Sequence, residues 1–171
     1  MDALECMMTR SSVKSYKNDP VPQELIEKIV AAGLRAPSAL NKQSPIILVV
    51  TNKQVRDELS KLNAMDDPFF RPDPFYGAPC VLVVLAKKEV SQRVYDGSLV
   101  MENLQLAAHA LGLGACWIHR AKETFEKEEG KAILRKLGLD EEYEGIGNCI
   151  VGYPDKEFPI KPTREERVFY I

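Results

Sequence analysis

The sequence has no apolar run long enough to cross a membrane. Its longest, residues 78–86, falls far short of the ~20 residues that span a bilayer. Residues 1–10 contain Asp2 and Glu5 and lack the apolar core of a secretory signal. We therefore expect a cytoplasmic protein with no membrane partner.

An excess of charge of one sign is also missing. The chain has 23 Lys and Arg against 25 Asp and Glu, which gives a net charge of -2. Because nucleic-acid binding needs clustered positive charge, we expect no nucleic-acid partner. A length of 171 residues with 45% hydrophobic residues is typical of one globular domain, which we place at residues 1–171.

Cysteine and histidine are too few and too widely spaced for the common metal and nucleophile sites. The four cysteines form no C-x-x-C pair, so buried, reduced thiols and no metal site are predicted. His109 lies in an apolar helical stretch and is expected to be structural. His119 follows a predicted strand, where sheets of α/β proteins place ligands. No P-loop or G-x-S-x-G motif is present.

Helical and strand-like patterns alternate along the chain. The longest helix is predicted over residues 92–111 and is apolar on most sides, and an amphipathic helix is predicted over 123–137. Short apolar runs predict strands at residues 46–50, 79–86, 115–118 and 147–152. This order indicates an α/β or α+β fold with helices packed around a sheet.

A cluster of cations and hydroxyls, Arg10-Ser11-Ser12-Val13-Lys14, follows the first predicted helix. It can be a C-terminal turn whose cations face the helix dipole. It can equally be a phosphate cradle, with arginine as a bidentate fork and serine as a neutral donor. Lys161 and Arg164 would add to such a cradle if the tail folds back. The residues alone leave both interpretations open.

Four segments in order resemble signatures of the FMN-dependent nitroreductase family, which includes NAD(P)H nitroreductases and flavin reductases. The first is the cluster above, extended to Tyr16, and the second is an A-P-S-x-x-N-x-Q pattern at residues 36–43. The third is a helix and strand at residues 102–118, and the fourth combines residues 151–154 with the tail cations. Together they span nearly the whole chain.

The resemblance implies a fold and an assembly. The expected fold is an α+β sandwich whose mixed, mainly antiparallel sheet is flanked by helices, with a C-terminal arm from about residue 155. The expected assembly is an intertwined homodimer with two FMN sites at the subunit interface.

The resemblance also implies roles for individual residues. Arg10 and Ser12 would hold the FMN phosphate and ribityl chain, Ser11 would contribute its backbone, and Lys14 would face the N1/O2 edge of the flavin. The other subunit would contribute Pro37, Ser38, Ala39, Asn41 and Gln43. The backbone of Trp117, Ile118 and His119 would run beside the ring at N5 and O4, and Lys161 and Arg164 would return to the phosphate.

The activity implied is electron transfer from NADH or NADPH to a nitroaromatic, quinone or similar small electron-poor acceptor by a ping-pong mechanism. Hydride arriving at N5 leaves negative charge at N1/O2, which a cation such as Lys14 stabilises. No side-chain acid or base is required, so no catalytic residue is assigned. The alternatives are reductive dehalogenation or flavin breakdown on the same fold, or a non-catalytic FMN-binding module.

The proline- and aromatic-rich loop at residues 63–77 is the candidate for the substrate side. Its aromatic residues either cover the flavin or belong to a dimer core, and Arg71 is a candidate contact for the flavin or the nicotinamide donor. The aromatic residues are Phe69, Phe70, Phe75 and Tyr76.

Overall fold

Six helices surround a small sheet in the described part of the chain. The computed structural model describes residues 1–65, 67, 72–139, 142–163, 165 and 167–171. Within these residues the helices are α1 (Ala3–Thr9), α2 (Gln23–Gly33), α3 (Lys53–Ala64), α4 (Arg93–Ala110), α5 (Ala121–Glu126) and α6 (Glu128–Lys136). A short 3-10 turn covers Ala39–Asn41. No helix in this part of the chain is long and apolar enough to cross a membrane.

The described strands form one antiparallel sheet. They are β1 (Pro45–Val50), β2 (Cys80–Lys87), β3 (Gly114–Ile118) and β4 (Tyr143–Gly152), in the spatial order β1-β2-β4-β3. In this order β3 is an edge strand, and β4 is its neighbour in the described sheet. Separately, the register between β2 and β4 shifts between Val84 and Leu85, which marks a bulge.

Both faces of the sheet are buried, which explains why β2 is a continuous apolar run. Successive side chains of a strand point to opposite faces. Val81 and Val83 face a core shared with α3, α5 and α6, whereas Leu82 and Val84 face a core shared with α2 and α4. The predicted α+β sandwich, with helices flanking a mainly antiparallel sheet, is confirmed.

The long helix α4 packs on the sheet along one side only. Met101, Leu104 and Ala108 are fully buried against the sheet. On its outer side Tyr95 is 75% exposed and Leu99 is 45% exposed. The helix is therefore apolar on a side that the described chain does not cover.

Two elements differ from the sequence prediction. The helix predicted over residues 123–137 is two helices, because Lys127 adopts an extended conformation between them. β4 begins at Tyr143, four residues before the predicted start. Its added residues include Gly145, where a Cβ would lie 2.3 Å from the backbone of Ala121. This close approach excludes a side chain there, so the apolar pattern that predicts a strand is interrupted.

Candidate functional site

The segment after α1 is fixed against the beginning of the edge strand β3. Ser12 forms a parallel bridge with Ala115, and the Val13 N–H donates to the Ala115 carbonyl at 3.0 Å. A Cβ on Gly114 would lie 2.7 Å from the Val13 side chain, so glycine is needed for this approach. The contact places the predicted cation and hydroxyl cluster at the sheet edge.

Three predicted site residues act on one buried thiol, that of Cys116 in β3. Burial raises the pKa of this thiol. The charge of Lys14, a hydrogen bond with Ser12 and the charge of Arg10 oppose that rise. Cys116 itself is only 4% exposed. Ser12 lies beside β3 through its bridge with Ala115, and Arg10 and Lys14 lie two residues to either side of it in the same segment.

Arg10 also contacts the long helix α4. Its Nη1 lies 3.5 Å from the Gln105 Oε1 atom, and its Nε lies 3.8 Å from a Glu102 carboxylate oxygen. The Glu102 side chain is 50% exposed, which weakens its hold on the guanidinium through solvent screening. The guanidinium is therefore available to a stronger anion.

The C-terminal arm runs beside the same cations. The Ser11 hydroxyl donates to the Phe158 carbonyl at 3.3 Å. A cavity of about 650 Å³ lies between this arm, the end of α1 and the end of α4, and Arg10, Ser11 and Lys17 line it. Lys161 is exposed further along the arm, and Arg164 lies outside the described residues.

The residues at the end of β3 present backbone groups to the open edge. Ala115 uses its carbonyl to pair with Val13, so by strand alternation the backbone groups of Trp117 point to the same edge. The Trp117 indole packs on the face of the sheet that α4 covers, next to Met101 and Gly147. Its ring centroid is 5.9 Å from that of His119. Ile118 is buried in the other core.

The turn that follows His119 is held by residues from α3. Asn63 Nδ2 donates to the His119 carbonyl at 2.8 Å. Arg120 donates from Nε to the Asn63 carbonyl at 3.1 Å and from Nη2 to the Met65 carbonyl at 2.6 Å. Arg120 is left-handed, with φ 73°. Asn63 and Arg120 were missed by the sequence analysis, because no local pattern links positions 57 residues apart.

The second predicted segment is a separate loop between α2 and β1. The Ala39 N–H donates to an Asp96 carboxylate oxygen at 3.0 Å, and the Gln43 N–H donates to the Ser38 hydroxyl at 2.9 Å. Asn41 and Gln43 have positive φ values of 54° and 49° and are joined by a side-chain hydrogen bond of 2.8 Å. Pro37 lies exposed in the same loop.

The two predicted segments of the site contact different parts of α4. The loop at residues 37–43 is anchored at Asp96, near the beginning of α4, whereas Arg10 contacts Gln105 near its end. At 1.5 Å per residue these anchors lie about 13 Å apart along the helix axis.

Comparison with known proteins identifies the family. Residues 7–153 match the sequence model of the Nitroreductase family. The chain belongs to the nitroreductase family. The sequence resemblance is thereby confirmed.

Curated and solved nitroreductases resemble this chain over almost its whole length. A protein of Methanothermobacter thermautotrophicus named "Putative NADH dehydrogenase/NAD(P)H nitroreductase" is 32% identical over 165 residues, which cover 90% of this chain and 78% of that protein. An FMN-dependent nitroreductase from Clostridium difficile R20291 is 27% identical, with a TM-score of 0.81 and 98% of each chain covered. A nitroreductase with bound FMN from Bacteroides fragilis shares the fold, with a TM-score of 0.87 at 24% identity and full coverage of both chains.

In this nitroreductase, part of the predicted substrate loop is described. Phe69, Phe70 and Arg71, the candidate substrate-pocket residues, lie outside the described residues. The following residues form a tight turn around Asp73. This turn places the Tyr76 ring below the Lys14 ammonium, which lies 6.0 Å from the ring centroid. In the sequence, Pro72, Asp73, Pro74 and Gly77 signal a turn here but do not indicate its contact with Lys14.

The Asp73 carboxylate is the centre of this turn. It accepts hydrogen bonds from the Ser60 hydroxyl at 2.6 Å, the Arg56 guanidinium at 2.7 Å and the Gly77 N–H at 2.7 Å. Burial alone would raise the pKa of Asp73, but these hydrogen bonds outweigh burial and lower the pKa. The ionised carboxylate is therefore favoured in the folded protein.

The lowered pKa predicts a loss of stability in acid. The contribution of Asp73 is complete above its unfolded pKa, about 3.9, and is lost as pH falls through the lower folded pKa. We expect the difference in unfolding free energy between the parent protein and Asp73→Asn to shrink below about pH 4. Urea unfolding at a series of pH values measures this difference. A difference that stays constant with pH would contradict the assignment.

Proposed function

We propose that this chain is an FMN-dependent oxidoreductase that takes electrons from NADH or NADPH and passes them to a nitroaromatic, quinone or similar small electron-poor acceptor. The observation that carries the proposal is the position of the Arg10–Lys14 segment along the edge of β3, where Ser12 forms a bridge with Ala115, in a nitroreductase-family chain. Relatives support the cofactor and the donor. One, from Bacillus subtilis, is named "FMN reductase [NAD(P)H]" and is 22% identical over 94% of this chain.

The donor set fits FMN. A phosphate monoester needs cations and N–H or O–H donors, which Arg10, Ser11 and Ser12 supply. The cavity beside Arg10, at about 650 Å³, is within the ~300–1,000 Å³ range of small-ligand sites. The neighbouring carboxylate, Glu102, is half exposed and can turn to water. The cavity can therefore receive the phosphate end of the cofactor.

Each group of residues has a distinct part in the proposed mechanism. Bound FMN supplies the electron-transfer chemistry. Arg10 and the serines hold the phosphate by charge-assisted hydrogen bonds, with help from Lys161 and Arg164 of the arm. Lys14 stabilises negative charge at the N1/O2 edge and so favours reduction. The backbone at Trp117, Ile118 and His119 offers polar groups to the ring. We propose a ping-pong order, in which the nicotinamide leaves before the acceptor enters the same space.

The proposal includes a homodimer with the cofactor at its interface. The loop at residues 37–43 is anchored near the beginning of α4, whereas Arg10 contacts α4 near its end. The outer side of α4 and the last four residues supply apolar surface for a partner, because Tyr95 is 75% exposed and Phe169 is 84% exposed. A second copy would bring Pro37, Ser38, Ala39, Asn41 and Gln43 to the cofactor.

A cytoplasmic location is part of the proposal. All four cysteines are free and buried, which suits a compartment that keeps thiols reduced.

The visible spectrum tests the function directly. We expect purified protein reconstituted with FMN to be yellow, to bleach on anaerobic addition of NADH or NADPH, and to recover when a nitroaromatic or quinone is added. A yellow protein that keeps its colour with both nucleotides would favour a flavin-binding module instead. A protein that cannot be reconstituted with FMN would contradict the cofactor site as a whole.

A further inference from the structure

Tyr76 has a backbone conformation that a bulky residue rarely adopts. Its φ is 52°, and the following Gly77 has φ 74°. Left-handed backbone is favourable for glycine but strained for an aromatic residue. Such strain persists only where the surrounding structure enforces it, and it is concentrated at functional positions.

The turn around Asp73 enforces this conformation from both sides. The N–H groups of Phe75 and Gly77, the two neighbours of Tyr76, both donate to the Asp73 carboxylate, at 3.0 and 2.7 Å. The Tyr76 N–H donates to the Asp73 carbonyl at 3.2 Å. Arg56, only 8% exposed, holds the carboxylate in turn. The backbone of Tyr76 is thus held in one conformation by a partly buried ion pair.

That orientation places the Tyr76 ring below the ammonium of Lys14. The Nζ-to-centroid distance of 6.0 Å is at the outer limit of a cation–π contact. The ring also packs against the core that contains Val13 and Cys116, which fixes its other side. In the described part of the chain no carboxylate forms an ion pair with Lys14. Among the described residues, the Tyr76 ring is the group that lies against this exposed ammonium.

We infer that Tyr76 is a positioning residue for Lys14, holding its ammonium at the N1/O2 edge of bound FMN. The inference rests on the proposed function, since it gives Lys14 the role assigned there. Without the ring, the flexible lysine would move into water, and its stabilisation of the reduced flavin would weaken. Tyr76 would therefore raise the flavin potential through Lys14, with no direct part in electron transfer.

The test compares Tyr76→Phe, Tyr76→Asn, Lys14→Met and the double variant Tyr76→Asn with Lys14→Met. Phenylalanine keeps the ring. Asparagine removes it but tolerates left-handed backbone, so the turn is retained. The two-electron midpoint potential of the FMN-loaded protein is the first measurement. The second measurement is the chemical shift of the Lys14 ε-methylene in FMN-free protein with 13C-labelled lysine. An aromatic ring that faces this methylene displaces its signal upfield.

We expect Tyr76→Phe to retain the parent potential. In Tyr76→Asn we expect a roughly tenfold loss of preference for reduced over oxidised flavin. This loss lowers the midpoint potential by about 30 mV. Lys14→Met should lower the potential at least as far, and the double variant should match Lys14→Met. The Lys14 ε-methylene shift should be displaced in the parent and Tyr76→Phe proteins and ordinary in Tyr76→Asn.

Several results would overturn the inference and separate it from the proposed function. A parent-like potential in Tyr76→Asn, together with a lowered one in Lys14→Met, would remove the role of Tyr76 and leave the flavin site intact. Additive effects in the double variant would show that Tyr76 acts independently of Lys14. Failure of every variant and of the parent protein to bind FMN would overturn both the inference and the proposed function.

Discussion

Replacing Arg10 by alanine is expected to weaken FMN binding by roughly 10- to 100-fold. Hydrogen bonds to a charged group contribute about 1.5–3 kcal/mol, and every 1.4 kcal/mol is about a factor of ten in Kd. Arg10 is the proposed cation at the phosphate, and its side chain is 26% exposed beside the cavity. Titration of FMN-free protein with FMN, followed by quenching of flavin fluorescence, measures the change.

Two variants make this experiment specific. Arg135→Ala removes an exposed arginine on α6, on the other side of the sheet, and should leave the Kd unchanged. Arg10→Lys keeps the charge but loses the bidentate fork, so an intermediate Kd is expected. An Arg10→Ala protein with the parent affinity would exclude Arg10 from the phosphate site.

Replacing Arg56 by alanine is expected to lower the free energy of unfolding by about 1.5–3 kcal/mol, because the partly exposed Asp73 carboxylate and the Ala78 carbonyl lose hydrogen bonds from a charged group. The Arg56 side chain is 10% exposed and donates to the Ala78 carbonyl, Asp57 and Asp73. It also lies 5.6 Å from the centroid of the Phe75 ring. Urea unfolding at neutral pH measures the loss.

The neighbouring Lys53 is the matched control for Arg56. Its side chain is 86% exposed and pairs with the same Asp57, one turn away on α3. Solvent screens such a pair, so Lys53→Ala should leave the unfolding midpoint nearly unchanged. Equal effects of the two substitutions would show that burial does not strengthen the Arg56 network.

A strand of the sheet was predictable from the sequence where it is buried along its whole length. β2 is buried on both faces, so every residue from Val81 to Ala86 is apolar, and this run locates the strand. β4 was predicted only from Gly147 onward, because Gly145 has no side chain to extend the apolar pattern. The close neighbour of Gly145 is the backbone of Ala121, which is distant in sequence.

The candidate site was predictable where its chemistry lies in one short segment. Arg10, Ser12 and Lys14 are close in sequence and form the proposed cradle on the edge of β3. The residues that support them come from elsewhere, because a turn such as that at Tyr76 depends on a carboxylate, Asp73, held by α3. A local sequence pattern does not indicate which helix residue contacts which loop.

The four buried cysteines bear on how this protein would withstand peroxide. Burial raises the pKa of Cys80 to about 12, and it also raises the pKa of Cys6, Cys116 and Cys149. Since the thiolate is the form that reacts with peroxides and electrophiles, these side chains are nearly inert at neutral pH. Under the proposed function, reduced flavin in air would generate peroxide close to them. Cys80, Cys116 and Cys149 would become reactive only when the sheet opens, and Cys6 only when α1 separates from α4.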